Sequence, residues 1–276
     1  MITTDDLNSV RRHPGRRGVV MTMGALHEGH LALVRAARAS CDEVMVTVFV
    51  NPLQFDDPAD LERYPRSLEA DAALLEPLGV DILYVPTEAQ VYPNGAPVVT
   101  VASGRLGEIF EGAARPGHFD GMLTVVLKLL NLTGAGVAFF GQKDAQQLIA
   151  VRRMVADFNL PVEIVGVPTV RAADGLALSS RNAQLAGSDR AAALALSRAM
   201  RTVRSAIAVG NSLTLAIATG RSALASERGV RVDYLAALDP VTAEEVGDDH
   251  RGVAIIAGAI RVGGVRLIDN ETVSIV

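Results

Sequence analysis

Five short, mostly apolar runs recur along the first 170 residues and alternate with stretches that have the apolar spacing of helices. They are Gly18–Met21, Glu43–Val50, Val80–Val85, Val137–Phe140 and Val162–Val167. Runs that are apolar almost throughout are typical of parallel strands buried on both faces. Repeated strand–helix units of this kind, joined by right-handed crossovers, build a doubly wound sheet. The sequence therefore predicts an α/β fold with a doubly wound, mostly parallel, Rossmann-like sheet.

The composition changes after Pro168, and 276 residues are enough for two domains. Two alanine-rich helices are predicted over residues 188–208 and 213–227. Three runs that alternate like antiparallel strands follow, at Val230–Leu238, Gly252–Ala257 and Ile260–Leu267. We therefore expect a Rossmann-like domain over residues 1–169 and a smaller α+β domain over residues 170–276.

Weaker signals give three further predictions. Residues 1–17 are polar and basic and are expected to form a short helix and a loop. Val98–Val101 follows three prolines and is expected to be a short edge strand. A helix over Ser67–Leu78 is predicted to be capped by Ser67.

The overall composition excludes several classes of protein. The net charge is −5, the hydrophobic share is 49% and the mean hydropathy is +0.28, which indicates a chain with a large core. There is no dense basic patch, so nucleic acid is not expected as a main partner. Cys41 is the only cysteine, which excludes a disulfide framework and a cysteine-based zinc site within one chain. The sequence shows neither a signal-peptide pattern nor an apolar run of ~18 residues, so we expect a cytoplasmic protein.

The stretch Met21–His30 follows the first predicted strand and leads into a predicted helix. Gly24 marks a tight turn, where glycine adopts left-handed backbone angles without steric cost. His27 and His30 are three residues apart and therefore share a face of the first helical turn. Such a turn presents backbone N–H groups and the positive end of the helix dipole, which suit a phosphate. Gly29 costs the helix about 1 kcal/mol relative to alanine, and a nucleotide lying on the backbone would be a reason to keep it.

Two other interpretations of this stretch remain open from spacing alone. His-Glu-Gly-His is one residue shorter than the His-Glu-x-x-His zinc motif, so its two imidazoles are set differently. A strand, a glycine turn and a helix are also a common arrangement, in which the two histidines would be incidental.

Polar residues gather in four clusters, at Met23–His30, Asn51–Gln54, Gly141–Gln147 and Ser179–Arg181. The first three clusters follow strands and are expected to converge on one edge of the sheet, where open α/β sheets bind ligands. The histidine, lysine, arginine, serine and backbone N–H groups of all four clusters would stabilise phosphate charge in a transition state. Neither a serine–histidine–carboxylate triad nor a suitably placed nucleophilic cysteine is evident in the sequence. The residues therefore favour an enzyme that transfers an adenylyl or phosphoryl group.

Several motifs stand in order between residues 18 and 185. They are Met23-Gly-Ala-Leu-His-Glu-Gly-His30, Phe49-Val-Asn-Pro-Leu-Gln-Phe55, Tyr64-Pro-Arg66, Arg115-Pro-Gly-His-Phe119, Phe140-Gly-Gln-Lys-Asp144 and Asp174-Gly-Leu-Ala-Leu-Ser-Ser-Arg-Asn182. Together they resemble the pantothenate synthetase (pantoate–β-alanine ligase) family, and long motifs in the right order are far more specific than one glycine turn. That family belongs to the nucleotidyltransferase-like superfamily, which carries a His-x-x-His signature at a helix start.

The resemblance implies ATP-dependent condensation of (R)-pantoate with β-alanine to pantothenate. A pantoate carboxylate oxygen would attack the α-phosphorus of ATP, giving pantoyl adenylate and pyrophosphate, and the amine of β-alanine would then displace AMP. The resemblance also implies Mg²⁺ with the ATP, a homodimer, and a domain over residues 170–276 that closes over the ATP site.

By position, the resemblance assigns ATP binding to the first, third and fourth clusters and to two apolar residues. The assigned residues are Met23, Gly24, Ala25, Leu26, His27, Glu28, Gly29, His30, Gly141, Gln142, Lys143, Asp144, Val170, Leu178, Ser179, Ser180 and Arg181. The expected catalytic residues among them are His27, His30, Lys143, Ser179, Ser180 and Arg181, with His30 matching the family's proton donor.

The substrate contacts are carried over in the same way. Gln54 and Gln147 are expected to hydrogen-bond pantoate, with Asn51 nearby, and Gln54 is also the expected β-alanine contact. Asp71 is a candidate magnesium ligand, or else an ordinary acid in the first turn of a helix.

The sequence departs from the family pattern at three positions. Met21 stands where proline is usual, Ala145 where an aromatic residue is usual, and Leu178 where methionine is usual. None of these changes removes a charged group, but Met21 is expected to loosen the entry to the nucleotide loop. Arg115 and His118 are expected either to shape a wall of the site or to lie in a surface loop.

Two competing functions differ from the ligase in what they require. Another adenylyl or cytidylyl transferase of the superfamily would share the first histidine motif but would not need the two glutamines. A non-catalytic nucleotide-binding module would not need the intact set of His27, His30 and Lys143, which argues against it.

Overall fold

The computed structural model describes residues 1–6, 8, 15–55 and 58–276. The chain divides into two compact units. The first unit contains Met1–Gly141 and Ala150–Val167, and the second contains Gln142–Ile149 and Pro168–Val276. The second unit thus begins near residue 170 but also includes a short segment from the earlier part of the chain.

A parallel sheet of six strands organises the described residues of the first unit. The strands are β1 (Ile2–Thr4), β2 (Arg17–Thr22), β3 (Glu43–Val48), β4 (Ile82–Tyr84), β5 (Val137–Gly141) and β6 (Glu163–Val167). Their order is β1-β4-β3-β2-β5-β6, and every pairing is parallel. Val19, Val20, Val44 and Val46 are fully buried, because the central strands are covered on both faces. The prediction of a doubly wound parallel sheet is confirmed.

Helices connect these strands. They are α1 (Glu28–Ser40), α2 (Pro58–Arg63), α3 (Leu68–Leu75), α4 (Glu88–Val91), α5 (Glu111–Ala114), α6 (His118–Thr133) and α7 (Ala145–Asp157). Leu31, Val34 and Ala37 recur at helical spacing in α1 and are buried in the core of the unit. A 3₁₀ turn over Pro52–Gln54 follows β3.

The strands β2 and β5 are neighbours in the sheet, although they are far apart in the sequence. The strand order reverses between them, and ligands of open α/β sheets bind outside the carboxyl ends of the strands at such a point. β2 leads into Met23–His30, β3 leads into Asn51–Gln54, and β5 ends at Gly141. Within the first unit, the expected convergence of these segments on one edge of the sheet is correct.

The second unit packs two helices against an antiparallel sheet, which has three strands in the described residues. The helices are α8 (Gly187–Ala208) and α9 (Leu213–Ala225), and the strands are β7 (Val230–Leu238), β8 (Gly252–Val262) and β9 (Val265–Ile275). Leu196, Val203, Leu224, Leu235 and Ile256 lie in its core. The predicted α+β character of this region is confirmed. Across the described ranges, no helix is long and apolar enough to span a membrane.

Two local predictions were wrong, and a third missed a strand. β1 forms at the start of the stretch 1–17 and pairs with β4, whereas the short helix expected in that stretch falls largely on residues 7 and 9–14, which lie outside the described residues. Val98–Val101 is irregular, and Val98 is fully exposed, because the segment finds no strand to pair with. β8 continues beyond Ala257, and the hairpin turns instead at Gly263–Gly264, where φ values of +55° and +82° favour glycine.

Candidate active site

A buried carboxylate holds the loop after β2 in an unusual backbone conformation. Gly24 and Ala25 have φ angles of +86° and +52°, and this left-handed region costs a residue with a Cβ about 1–2 kcal/mol. Oδ2 of Asp71 accepts the N–H of Ala25 at 3.0 Å, and Oδ1 accepts the N–H of Leu26 at 2.8 Å. Hydrogen bonds to an ionised carboxylate are roughly twice as strong as neutral ones. Asp71 therefore offsets the strain and fixes the loop that leads into α1.

This geometry changes the interpretation of Asp71. Asp71 lies in the first turn of α3, as one of the two interpretations expected, but it is only 2% exposed, whereas Glu69 of the same turn is exposed. Backbone N–H groups engage both Asp71 oxygens. Asp71 is a brace for the loop, and its assignment to magnesium stays a prediction. The expected capping hydrogen bond from the Ser67 side chain does not form.

The end of β2 stays regular through Met21. Met21 and Thr22 are both in register with β3, and the Thr22 hydroxyl donates to the Thr47 carbonyl at 2.8 Å. The N–H of Gly24 donates in turn to the Thr22 hydroxyl at 3.2 Å. The entry to the loop is therefore held by hydrogen bonds of Thr22, and the loosening expected from Met21 stays a prediction.

His27 and His30 each use one ring nitrogen to cap α1. Nδ1 of His27 accepts the N–H of Gly29 at 3.1 Å, and Nδ1 of His30 accepts the N–H of His27 at 3.3 Å. A ring nitrogen that accepts a hydrogen bond carries no proton, so the proton of each neutral imidazole is on Nε2. The ring centroids are 4.1 Å apart. Both histidines thus present an Nε2–H donor beside the N-terminus of α1, where the helix dipole favours an anion.

Gly29 is required by the position of the neighbouring imidazole. A Cβ atom on Gly29 would lie 2.8 Å from Cε1 and 2.9 Å from Nδ1 of His27. Close-packed atoms do not approach so closely, so any larger residue would displace the ring. The glycine is therefore explained without a nucleotide. The carboxylate of Glu28 forms an exposed ion pair with Arg35 at 2.9 Å.

A buried chain of hydrogen bonds runs through the turn after β3. Nδ2 of Asn51 donates to Oε1 of Gln54 and to the Gly121 carbonyl, at 3.1 Å each. The Tyr92 hydroxyl donates to Oδ1 of Asn51 at 2.8 Å, which fixes the orientation of the Asn51 amide. Because Oε1 of Gln54 accepts from Asn51, its Nε2 faces Met23, whose Sδ is 2.8 Å away. This contact brings the first two predicted clusters together.

Sequence reasoning missed Tyr92. It is 4% exposed, although it lies in a proline-rich segment of irregular structure. Burial, together with the negative charge of Glu88, raises the pKa of Tyr92 well above its usual range. Tyr92 therefore keeps its proton and donates to Asn51 near neutral pH. Its one sequence signal is an aromatic residue in such a segment of a chain that is only 4% aromatic.

Arg115 and His118 hold the backbone of the same turn. The Gln54 carbonyl accepts from Nη2 of Arg115 at 3.3 Å and from Nδ1 of His118 at 2.9 Å. Nη1 of Arg115 also lies 3.0 Å from Nε2 of His118. A guanidinium only donates and a carbonyl only accepts, so His118 is neutral with its proton on Nδ1. The two residues brace the Gln54 turn, and the surface-loop alternative is wrong.

In the second unit, Lys143 lies in the turn between β5 and α7. Its Nζ is 3.8 Å from Oδ1 of Asp144, and its side chain is 18% exposed, against 49% for Asp144. The Asp144 carbonyl accepts the N–H of Leu148 at 2.9 Å, so α7 begins directly after Asp144. Nδ2 of Asn270, in β9, donates to the carbonyls of Gln142 and Lys143 at 2.8 Å each.

The loop from Val170 to Leu178 is attached to the same strand. The N–H of Leu178 donates to the Val170 carbonyl at 2.9 Å and closes the loop at its base. Arg171 binds both carboxylate oxygens of Asp269, at 2.6 and 2.9 Å. The neighbouring residues Asp269 and Asn270 therefore anchor both this loop and the Lys143 turn.

The remaining predicted residues of the second unit lie in or beside short turns. The Ser179 hydroxyl accepts the N–H of Arg181 at 3.3 Å and caps the 3₁₀ turn Ser180–Gln184. Ser180 and Arg181 are exposed. Gln147, in the first turn of α7, is half-buried. Exposed hydroxyl and guanidinium groups of this kind are well suited to binding an anion.

Asn270 was also missed from the sequence. The predicted strand ended at Leu267, because the polar pair Asp269–Asn270 interrupts its apolar alternation. In the structure β9 continues through this pair to Ile275, and both residues are buried. A buried polar pair in the middle of a strand is itself the signal, since buried polar groups require partners.

Three comparisons agree on the family. The sequence model of the family described as pantoate-beta-alanine ligase matches residues 2–272. A pantothenate synthetase of Paenarthrobacter aurescens (strain TC1) is 52% identical over 272 residues, which covers 92% of this chain and 91% of the relative. A crystal structure of pantothenate synthetase from Thermus thermophilus has a TM-score of 0.91 and 47% identity, covering 98% of this chain and 99% of that chain. A crystal structure of pantoate-beta-alanine ligase from Francisella tularensis, complexed with beta-gamma ATP and beta-alanine, has a TM-score of 0.79 and 35% identity, covering 98% of this chain and 97% of that chain. This chain therefore belongs to the pantoate–β-alanine ligase family.

Proposed function

We propose that this ligase condenses (R)-pantoate with β-alanine in two steps, through pantoyl adenylate. In the first step a pantoate carboxylate oxygen attacks the α-phosphorus of ATP, a new P–O bond forms and pyrophosphate leaves. In the second step the amine nitrogen of β-alanine attacks the acyl carbon, and AMP leaves with the electron pair of the acyl C–O bond. The first step brings one anion against another, so it requires donors aimed at the phosphate oxygens.

The paired histidines at the start of α1 are the observation that carries this proposal. Nδ1 of each ring accepts a backbone N–H, so the donor of each neutral ring is Nε2–H, and we assign that group to a phosphate oxygen. We assign His27 and His30 to the ATP phosphates on this ground, with His30 as the proton donor.

We assign the triphosphate also to Lys143, Ser179, Ser180 and Arg181. The ammonium is a compact charge, and the guanidinium is a planar fork that matches phosphate geometry. Arg181 is exposed and stands at the start of a capped turn, and the carbonyl of Lys143 is fixed by β9. Both features support a role in binding an anionic ligand.

For pantoate we propose Gln54 and Gln147. Oε1 of Gln54 accepts from Asn51, and the hydrogen-bond partner of Nε2 in the described part of the chain is the thioether of Met23, which is a weak acceptor. A carboxylate or hydroxyl oxygen of pantoate would be a stronger acceptor in that place. Asn51 bonds through both ends of its amide, so we assign it to orienting Gln54 rather than to contacting the substrate.

We propose that Mg²⁺ arrives with ATP. In proteins Mg²⁺ usually keeps several waters and binds through one or two carboxylates plus substrate phosphates, so it needs no protein cage. That preference fits the described residues, which offer no cluster of three metal-binding side chains. Bound there, the ion would neutralise phosphate charge. A homodimer, which rests on the family resemblance, and a cytoplasmic location, which rests on the sequence pattern, complete the proposal.

The test is exchange of labelled pyrophosphate into ATP without β-alanine. A pantoyl adenylate requires exchange that depends on pantoate. Exchange that ignores pantoate would favour another nucleotidyltransferase, and no exchange with MgATP and pantoate would favour a nucleotide-binding module. Lys143→Ala should lower the exchange rate by ~10²-fold or more, as expected for a lost electrostatic donor. Unchanged turnover would remove Lys143 from the mechanism.

A further inference from the structure

We propose that Asn270 is a positioning residue that sets the catalytic geometry of Lys143. The inference rests on the proposed role of Lys143 at the ATP phosphates. Asn270 lies in the last strand of the second unit, 127 residues beyond Lys143 and outside all the motifs that carry the family resemblance.

The contact uses both hydrogens of one amide group. Nδ2 of Asn270 donates to the carbonyl oxygens of Gln142 and Lys143, and both distances are 2.8 Å. Two carbonyls can only accept, so the amide nitrogen, and not its oxygen, must face the turn. Asn270 is 9% exposed, which limits competition from water for these bonds. Consecutive carbonyls of the lysine turn are thus fixed by one side chain.

Asn270 is itself held rigidly. In β9 it pairs with Ala257 of β8, and Asp269 pairs with Gly258. Its N–H donates to Oδ1 of Asp269 at 2.8 Å. Arg171 holds the same carboxylate with two bonds, which raises the pKa of Arg171. The amide of Asn270 therefore has little freedom to follow the turn if the turn moves.

The turn has little else to orient its lysine. Among the described residues, the Lys143 side chain has only a distant ion pair with Asp144, at 3.8 Å, and half of the Asp144 side chain is exposed. The lysine ammonium stands on a flexible stem of four carbons, so the backbone position of the residue decides where the ammonium can reach. Loss of the two carbonyl bonds would let the turn rotate, and misplacement of a catalytic group by about 1 Å can cost ~10²-fold in rate.

Two substitutions separate the loss of hydrogen-bond donors from a change in the size of the side chain. Asn270→Asp keeps the shape but sets carboxylate oxygens against two carbonyls, and Asn270→Ser keeps one donor. We expect Asn270→Asp to lower kcat for pyrophosphate exchange by about 10- to 100-fold with KM for pantoate within about 2-fold of wild type, and Asn270→Ser to lose less. Glu271→Gln, a change at the next residue of β9, is the matched control and should keep the wild-type kcat. Wild-type kcat in both Asn270 variants would overturn the proposal.

A double-mutant cycle tests whether Asn270 acts through Lys143. In the Lys143→Ala background, the same Asn270 substitutions should change the exchange rate by less than about 2-fold, because the group that they misplace is gone. If the fold-losses of the two single variants multiply in the double mutant, Asn270 acts independently of Lys143, and the inference is overturned. If Lys143→Ala alone keeps the wild-type rate, the proposed role of Lys143 fails first, and that single variant identifies it as the cause.

Discussion

Replacing Gly29 by alanine should separate activity from stability. The new Cβ would lie 2.8 Å from Cε1 of the His27 ring. Carbon atoms pack at about 3.5 Å or more, so the imidazole must retreat by roughly 0.7 Å. The retreat breaks the bond between Nδ1 of His27 and the N–H of Gly29, and with it the geometry that directs Nε2–H toward a phosphate.

Two terms of similar size and opposite sign act on the free energy of unfolding. Alanine in place of glycine favours the helix by about 1 kcal/mol. Loss of a side-chain cap costs about 1 kcal/mol. The net change should therefore lie within about 0.5 kcal/mol of zero, whereas a displacement of this size at a catalytic group should lower the rate by about 10- to 100-fold.

The assays are urea unfolding and pantoate-dependent pyrophosphate exchange. Gly187→Ala is the matched control, because Gly187 begins α8 and a Cβ there meets nothing within 4 Å. The control should keep full activity. A Gly29→Ala variant that exchanges pyrophosphate at the wild-type rate would refute the reasoning about the His27 ring.

Three further changes test a hydrogen-bonded brace, a close contact and a buried ion pair in the first unit. Asp71→Asn leaves one N–H of the loop facing an amide NH₂ and should lower the free energy of unfolding in urea by about 2–3 kcal/mol. The control Glu69→Gln, on the same helical turn, should lower it by less than about 0.5 kcal/mol. Equal losses in the two variants would contradict the role of Asp71 as a brace. Gly121→Ala would drive its Cβ into the backbone of the 3₁₀ turn after β3 and should raise KM for pantoate in the exchange assay, and an unchanged KM would count against that turn as a pantoate site. Glu43→Ala leaves the buried Arg17 guanidinium without its ion pair and should cost about 3 kcal/mol in thermal or urea unfolding; a loss under about 1 kcal/mol would show that the pair is dispensable.

Features that depend on local sequence were predictable. The central strands follow from β-branched residues that are buried on both faces, as at Val19 and Val44. The position of His27 and His30 at a helix start follows from a glycine turn between a strand and a helix. Both patterns are complete within a few residues, so no knowledge of the rest of the fold was needed.

Features that depend on distant partners were not predictable. Asp71 meets Ala25 across 46 residues, and Asn270 meets Lys143 across 127. An acid at the start of a helix has the same local pattern whether it is exposed or buried, so the sequence gives no sign of the Asp71 brace. The strand predicted at Val98–Val101 did not form, although its local pattern is apolar, and Val98 is exposed. An apolar run forms a strand only where the edge of a neighbouring strand is available.

The anchoring of the lysine turn by β9 has a consequence for synthesis. Ribosomes add roughly 5–20 residues per second, so about 6–25 s separate Lys143 from the residue that anchors its turn. Once Asn182 has been added, the nascent chain carries every motif of the family without the strand that fixes the turn. A translation product that stops before β9 would therefore be recognisable as a ligase by sequence and still lack an ordered lysine. If Asn270 positions Lys143 as proposed, the enzyme becomes competent only when the last hairpin, β8 with β9, has formed.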